Sequence, residues 1–404
     1  MKALKRRKIM MLPGPNEPYP EILESLNQMV LPHYGDDWVE EYQETCEGMK
    51  KIFMTSDSEV MVWPGSGASA ADIAVANLVD EGDRIINVKN GFFGESFENK
   101  IKSYGGRVIS VESDFGKAIP PDDVRKAIEE NPDSKAIFVV LNETSSCTLN
   151  PVKAIGGISK ETGKILVVDA ISAIGATELR MDEWGIDVCL GYASKSLGSL
   201  GMVSPIAFNE RSEAMAERRK DEIKPYFRSF IPWKGPRRAV TMPTLNILAL
   251  KMAIHLALKE GLENRFKRHS TAAKATREGV RAMGLEVLPR EEEAADAVTA
   301  VLVPEEIQNK IRELLMKDHN IMVGGSLGNW GRDKLLRIGH MGVTASPEYV
   351  IPTLYALEQV MRKLGKDVRE GAAVDAAMEI YKNRPFEWVN ALLSRYDRKT
   401  LPKF

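Results

Sequence analysis

The chain has 404 residues, 44% hydrophobic and 28% charged, a composition that allows a large core and excludes a disordered or fibrous chain. At about 150 residues per domain, two to three domains are expected. Lys and Arg number 55 against 57 Asp and Glu, so the net charge of −2 leaves no whole-chain footprint for nucleic acid, and three cysteines (Cys46, Cys147, Cys189) are too few and too odd in number for a disulfide framework.

The start, MKALKRRKIMMLPGP, is basic at Lys5, Arg6, Arg7 and Lys8 but has only a short apolar stretch before Pro13. A secretory leader needs roughly 7–15 apolar residues there. The cluster reads as a solvated tail, and a reducing, cytoplasmic setting is the expectation. Next come apolar runs that read as buried strands: Val60–Trp63, Arg84–Val88, Val108–Val111, Ala136–Leu141, Ile165–Val168, Val188–Gly191 and Ser204–Phe208. Helical patterns lie between them, among them Ala68–Leu78 and Pro121–Glu130. Strands that are apolar throughout, alternating with helices, predict a mostly parallel sheet covered on both faces. A long helical stretch follows at Pro243–Glu260, breaks at Gly261 and resumes to Ala282. The pattern then changes to a smaller α+β unit. Strands are predicted at Leu285–Leu288, Ala297–Val303, Ile321–Val323 and Lys334–Ile338, with helices at Glu305–Asp318 and Pro347–Leu364 and a helical tail over Val368–Phe404. The expected division is an N-terminal segment 1–20, a large domain 21–265 and a small domain 266–404. No run of about 18 apolar residues suggests a membrane helix.

Four local features carry chemistry. Ser66-Gly67-Ala68 follows a strand and opens a helix, where backbone amides and the helix dipole suit a phosphate; an ordinary turn with a serine cap fits as well. Asp169 ends a strand of an open sheet, where ligand crevices form, and equally suits a turn. Lys195 sits among small residues just beyond another strand; a partly desolvated lysine amine forms Schiff bases, although most such lysines are surface charges. Arg337 is embedded in an apolar strand, where its planar fork needs a carboxylate, from a ligand or from the chain itself.

A phosphate loop, a strand-end acid, a strand-end lysine and a carboxylate-binding arginine together fit pyridoxal 5'-phosphate (PLP). With these residues in register, the chain resembles the fold-type I PLP enzymes of the class V aminotransferase family. It is most similar to the alanine–glyoxylate and serine–glyoxylate (serine–pyruvate) aminotransferases, over roughly residues 10–365. The 26 residues from Asp169 to Lys195 match the family spacing. The resemblance implies an α/β fold, with a large domain built on a mostly parallel seven-stranded sheet plus a smaller C-terminal α+β domain. It implies a homodimer with the active site at the subunit interface, and it implies roles residue by residue. Lys195 would be the Schiff-base lysine and proton shuttle, and Asp169 the partner of the ring nitrogen. Ser66, Gly67 and Ala68 would cradle the phosphate. Phe93, in Asn90-Gly91-Phe92-Phe93-Gly94, would stack on one ring face and Ile171 pack the other. Thr144, in Glu143-Thr144-Ser145-Ser146, would bond near the phenolic oxygen. Ser194 takes a place where Gln is common. Thr241 would reach the phosphate of the neighbouring subunit. Arg337 would hold the substrate carboxylate, and Gly14, in Pro13-Gly14-Pro15, and Tyr34 would line the substrate pocket.

Some residues depart from that pattern. Tyr34 stands where a charged residue is frequent, Arg238 where Tyr is common, and Cys147 replaces a usual Gly. Tyr34 and the Arg337–Gly342 string also resemble pyridoxamine–pyruvate aminotransferase. The resulting expectation is ping-pong transfer of an amino group from a small amino acid, alanine or serine, to glyoxylate or pyruvate. An unusual donor such as pyridoxamine is the alternative. A cysteine desulfurase would need a catalytic Cys in the small-domain loop, and Gly324–Trp330 has none. The five histidines lack ligand spacing, so no metal is expected, although His340, after the Arg337 strand, could face the pocket.

Overall fold

The seven apolar runs form one sheet. Across it the strands lie in the order Glu59–Trp63, Ser204–Phe208, Val188–Leu190, Ile165–Asp169, Ala136–Val140, Arg84–Lys89, Arg107–Glu112. Only Ser204–Phe208 runs antiparallel, to both its neighbours; the remaining pairs are parallel. Ala136–Val140 (AIFVV) and Ile165–Asp169 (ILVVD) are buried along their whole length. That follows from helices on both faces, which leave no strand position facing water. The computed structural model describes residues 8–27, 30–218, 229–230, 241–331 and 334–382. Arg238 and the tail from 383 lie outside them.

The helices between strands include Gly67–Leu78, Phe92–Ser103, Pro121–Glu130 and Val152–Thr162. A further helix, Asp36–Phe53, was not anticipated. Its apolar stripe (Trp38, Tyr42, Met49, Ile52, Phe53) is buried, but it is interleaved with six acidic residues that hide the period in the sequence. Chain order reverses between Arg84–Lys89 and Ala136–Val140. The carboxyl ends of the strands around such a switch point open a crevice, and Phe93, Asn142 and Asp169 all sit there.

The C-terminal part is built on the helix Leu262–Ala282 and an antiparallel sheet of Glu286–Val287, Val298–Leu302 and Leu335–Gly339. The helices Glu305–His319, Pro347–Lys363 and Ala372–Lys382 complete it, with Val280, Leu336, Leu354, Leu357 and Met361 in a core of their own. Ile9–Met11 pairs in parallel with Ile321–Val323, and Met11 belongs to this second core. The N-terminal segment is therefore anchored far from the strands that follow it, and residues 12–19 run past Lys195. The three cysteines are buried and form no disulfide with one another. Among the described residues no helix is long and apolar enough to cross a membrane.

Candidate active site

A cavity of about 330 Å³ opens at the switch point. That volume lies at the lower end of the range for small-ligand sites. Its wall includes Gly67 and Ala68 from the first turn of the Gly67–Leu78 helix, Phe93 from the next helix, Thr144, Asp169, Ile171 and Lys195. Ser66 caps the first of these helices, its hydroxyl accepting from Ser69 N at 3.4 Å. A Cβ on Gly67 would meet Ile171 Cδ1 at 2.8 Å, so any larger residue there would displace the Ile171 side chain from this wall.

Asp169 is buried at the end of its strand. Its Oδ1 accepts from Ile171 N at 2.8 Å, and Oδ2 has no partner among the described residues. Burial pushes the carboxyl up to about 7; the nearby Glu143 adds to the rise, and Lys195 and Lys100 oppose it. Lys195 moves the other way. Burial, with Arg337 close by, pulls its ammonium down to about 8. A base near 8 holds a useful neutral fraction at physiological pH, which an ordinary lysine does not.

The Lys195 amine donates to the carbonyl of Pro13. Gly14 has φ +122°, and a Cβ there would lie 2.4 Å from Lys195 Nζ. Arg337 stands behind Thr144: Nη1 donates to Thr144 O at 2.9 Å and Nε to Gly325 O at 2.7 Å. Its Nη2 has no partner among the described residues and is left for an anion. Burial lowers the guanidinium, although a guanidinium stays charged in any case.

A model of the aminotransferase class-V family matches residues 21–330. The chain belongs to the class-V aminotransferase family. A family of this fold type depends on pyridoxal phosphate. An uncharacterized aminotransferase of Methanocaldococcus jannaschii is 33% identical, covering 93% of this chain and 97% of that one. The crystal structure of ureidoglycine–glyoxylate aminotransferase from Bacillus subtilis superposes with a TM-score of 0.90 at 28% identity, over 95% of this chain and all of that one. Pyridoxamine–pyruvate aminotransferase from Mesorhizobium loti gives 0.89 at 27%, with the same coverage.

In this aminotransferase the cavity gathers Gly67, Ala68, Phe93, Thr144, Asp169, Ile171 and Lys195, with Ser66, Gly14 and Arg337 directly behind. Three anticipated residues lie elsewhere. Tyr34 is 71% exposed, Thr241 is exposed, and Ser194 is buried outside the cavity wall, its carbonyl accepting from Asn16 N at 3.2 Å. His340 is also away from it, fully buried between Thr299 Oγ1 and the Asp296 carbonyl. Cys147 takes φ +61°, the left-handed conformation that the usual glycine would adopt without strain.

Several supporting residues carry no sequence signal. Asn16 Nδ2 donates to Lys195 O at 2.7 Å and Met341 O at 2.8 Å. Arg265, fully buried, donates to Ser196 O and Gly175 O at 2.7 Å each, and pairs with Glu260. Glu143 accepts from Phe93 N and Gly94 N at the start of their helix and from Ser145, so it anchors Phe93; burial nonetheless raises its carboxyl. Asn142 lines the cavity with neither amide atom hydrogen-bonded.

Proposed function

We propose that this aminotransferase holds pyridoxal 5'-phosphate against Lys195 and carries the amino group of a small amino acid, alanine or serine, to glyoxylate or pyruvate. The observation that supports it is a desolvated lysine amine and a buried carboxylate facing one cavity, with an arginine N–H left over beside them. The wall fits the cofactor. The first turn of the Gly67–Leu78 helix offers its amides to a phosphate, and Phe93 and Ile171 present flat apolar surface to a ring. Asp169 Oδ2 lacks a donor, and the buried Asn142 amide lacks partners that a polar ring substituent would supply.

When bound, the cofactor supplies an aldehyde for the substrate amine and a ring that draws electron density from the α-carbon. The chain does the rest. Asp169 Oδ2 holds a proton on the ring nitrogen. Lys195 Nζ would take the α-proton and return it to the carbon of the cofactor that carried the aldehyde, and would run the same transfer in reverse for the oxo acid. Arg337 Nη2 holds the substrate carboxylate. Glu143 keeps Phe93 in place through the helix amides. The Pro13–Gly14 segment covers Lys195 and keeps water from it. With a single such arginine described, monocarboxylic substrates are favoured, and the likeness to a glyoxylate aminotransferase supports the acceptor. The exposed Thr241 and Tyr34 are assigned to a homodimer whose second subunit completes the site.

The test is the visible spectrum of the PLP-loaded protein, titrated with alanine, serine and pyridoxamine, each with and without glyoxylate or pyruvate. Bleaching by alanine or serine and recovery with one oxo acid supports the proposal. Bleaching by pyridoxamine alone replaces the donor. No visible band after adding PLP removes the cofactor.

A further inference from the structure

Lys100 is the charged group of the cavity to which the reaction above gives no task. It sits two turns into the Phe92–Ser103 helix, half-buried, and lines the wall with Ser96, Phe97 and Asp169. Its Nζ donates to Ser96 Oγ at 2.5 Å and to Ser96 O at 3.4 Å. No carboxylate among the described residues comes within ion-pair distance of it. An ammonium drawn out of water without a paired anion is costly, and its place must be explained by charges further off. Two carboxylates face it, Asp169 and Asp72, and Tyr104 Oη donates to Asp72 at 3.3 Å. Asp169 in turn is faced by Lys100 and Lys195 as cations, by Glu143 as an acid and by the Cys189 thiol. Lys195 is faced by Arg337 and Asp169. Lys100 thus shares the cavity wall with Asp169, whereas Arg337 stands behind that wall at Thr144 O.

We propose that Lys100 is a positioning residue acting through Asp169: its ammonium keeps the buried carboxylate ionised, so that Oδ2 can hold a protonated ring nitrogen at neutral pH. The proposal rests on the PLP reading. Lys195, the other cation facing Asp169, gives up its ammonium when its amine reacts, which leaves Lys100 as the cation the reaction does not consume, although burial lowers its own ammonium below the ordinary lysine range while Asp169 and Asp72 oppose that. Burial already lifts Asp169 to about 7 with both lysines present. Removing an opposite charge raises a carboxyl further, by roughly one unit.

The experiment measures binding rather than turnover. The full chain, stripped of cofactor, is titrated with pyridoxine 5'-phosphate, which has the ring and phosphate but no aldehyde, between pH 6.5 and 9.5. Inorganic phosphate is the second probe, and circular dichroism verifies the fold. Lys100→Met should weaken pyridoxine phosphate about fivefold near pH 7. The gap should close towards pH 9, as Asp169 ionises in both proteins, and phosphate binding should not change. Lys100→Arg should restore wild-type affinity, and in an Asp169→Asn background Lys100→Met should make no difference. Equal affinity of wild type and Lys100→Met at every pH overturns the proposal. So does a parallel loss of phosphate affinity, which would make Lys100 a phosphate contact. If pyridoxine phosphate does not bind the wild type, the cofactor reading itself fails and takes this one with it.

Discussion

The two ends of the cavity are built differently. Asp169 is held by its own strand and by an amide two residues further on. Lys195 is held by residues far along the chain: Pro13 takes its amine, Asn16 its carbonyl, and Arg265 the carbonyl of Ser196. The acid end thus forms with the sheet, whereas the amine end forms only when the N-terminal segment and the Leu262–Ala282 helix have docked. Local folding sets where the cofactor ring would be anchored, and closure of distant segments sets the reactivity of the lysine. The largest expected effect separates the ends outright. Lys195→Ala should cost more than about 10³-fold in turnover, because it removes the nucleophile and the proton carrier together. It should leave pyridoxine phosphate bound, weakened near pH 7 by about as much as in Lys100→Met, because Lys195 is also a cation facing Asp169, with the loss closing towards pH 9. Loss of both in parallel would show that the ends are not independent.

Next in size is Arg265→Met, which attacks the amine end from behind. Arg265 is fully buried and donates to Gly175 O, Ser196 O, Leu197 O, Tyr19 Oη and Glu260. Breaking a buried ion pair typically costs 3–5 kcal/mol. Here Arg268 still pairs with Glu260, which places the loss near 3 kcal/mol. Denaturant unfolding reads that cost. Capture of PLP by the folded fraction should slow while pyridoxine phosphate affinity holds. An unchanged capture rate would show that Ser196 needs no tether.

The same division explains what the sequence disclosed. Asp169 and Lys195 lie at or just beyond the ends of apolar runs, so a strand pattern aims them at the crevice, whereas Phe93 and Ile171 were assigned by the resemblance. Asn16, Arg265, Lys100 and Asn142 owe their places to tertiary contacts. Nothing in the helical stretch around Arg265 distinguishes it from a surface arginine, and Lys100 looks like any charge on an amphipathic helix. The helix Asp36–Phe53 was hidden because acidic residues crowd its apolar stripe. Tyr34 and Thr241 are exposed on the single chain, and their assignment came from resemblance, which implies a second subunit that the pattern of one chain does not describe.

A smaller effect tests the amine end by pH. Burial and Arg337 lower Lys195 to about 8, so protons leave it well below the ordinary lysine range. Only the neutral amine attacks a carbonyl. The rate of PLP capture by the stripped protein should therefore rise about tenfold per pH unit up to about 8 and level off above it. Stopped-flow absorbance provides the profile. A rate still climbing beyond pH 10 would mean that Lys195 is solvated and the N-terminal cover is open.

The smallest effect concerns Cys147, whose Sγ reaches the Thr144 carbonyl at 3.7 Å on the Arg337 side of the cavity. Its φ of +61° costs a side-chain-bearing residue roughly 1–2 kcal/mol, which glycine avoids. Cys147→Gly relieves that strain. It also gives up buried thiol and methylene surface worth about 1–1.5 kcal/mol and adds about 0.5–1 kcal/mol of unfolded-chain entropy. These terms nearly cancel, so thermal unfolding should shift by no more than a few degrees. Cys147→Ala gives up the sulfur and keeps the strain, so it should be no more stable than the glycine variant, although it removes fewer atoms. Ordinary core truncation predicts the reverse order. If Ala proves clearly the more stable of the two, the left-handed conformation at 147 is not strained, and the turn that carries Thr144 to Arg337 is held by its hydrogen bonds rather than tolerated against its backbone.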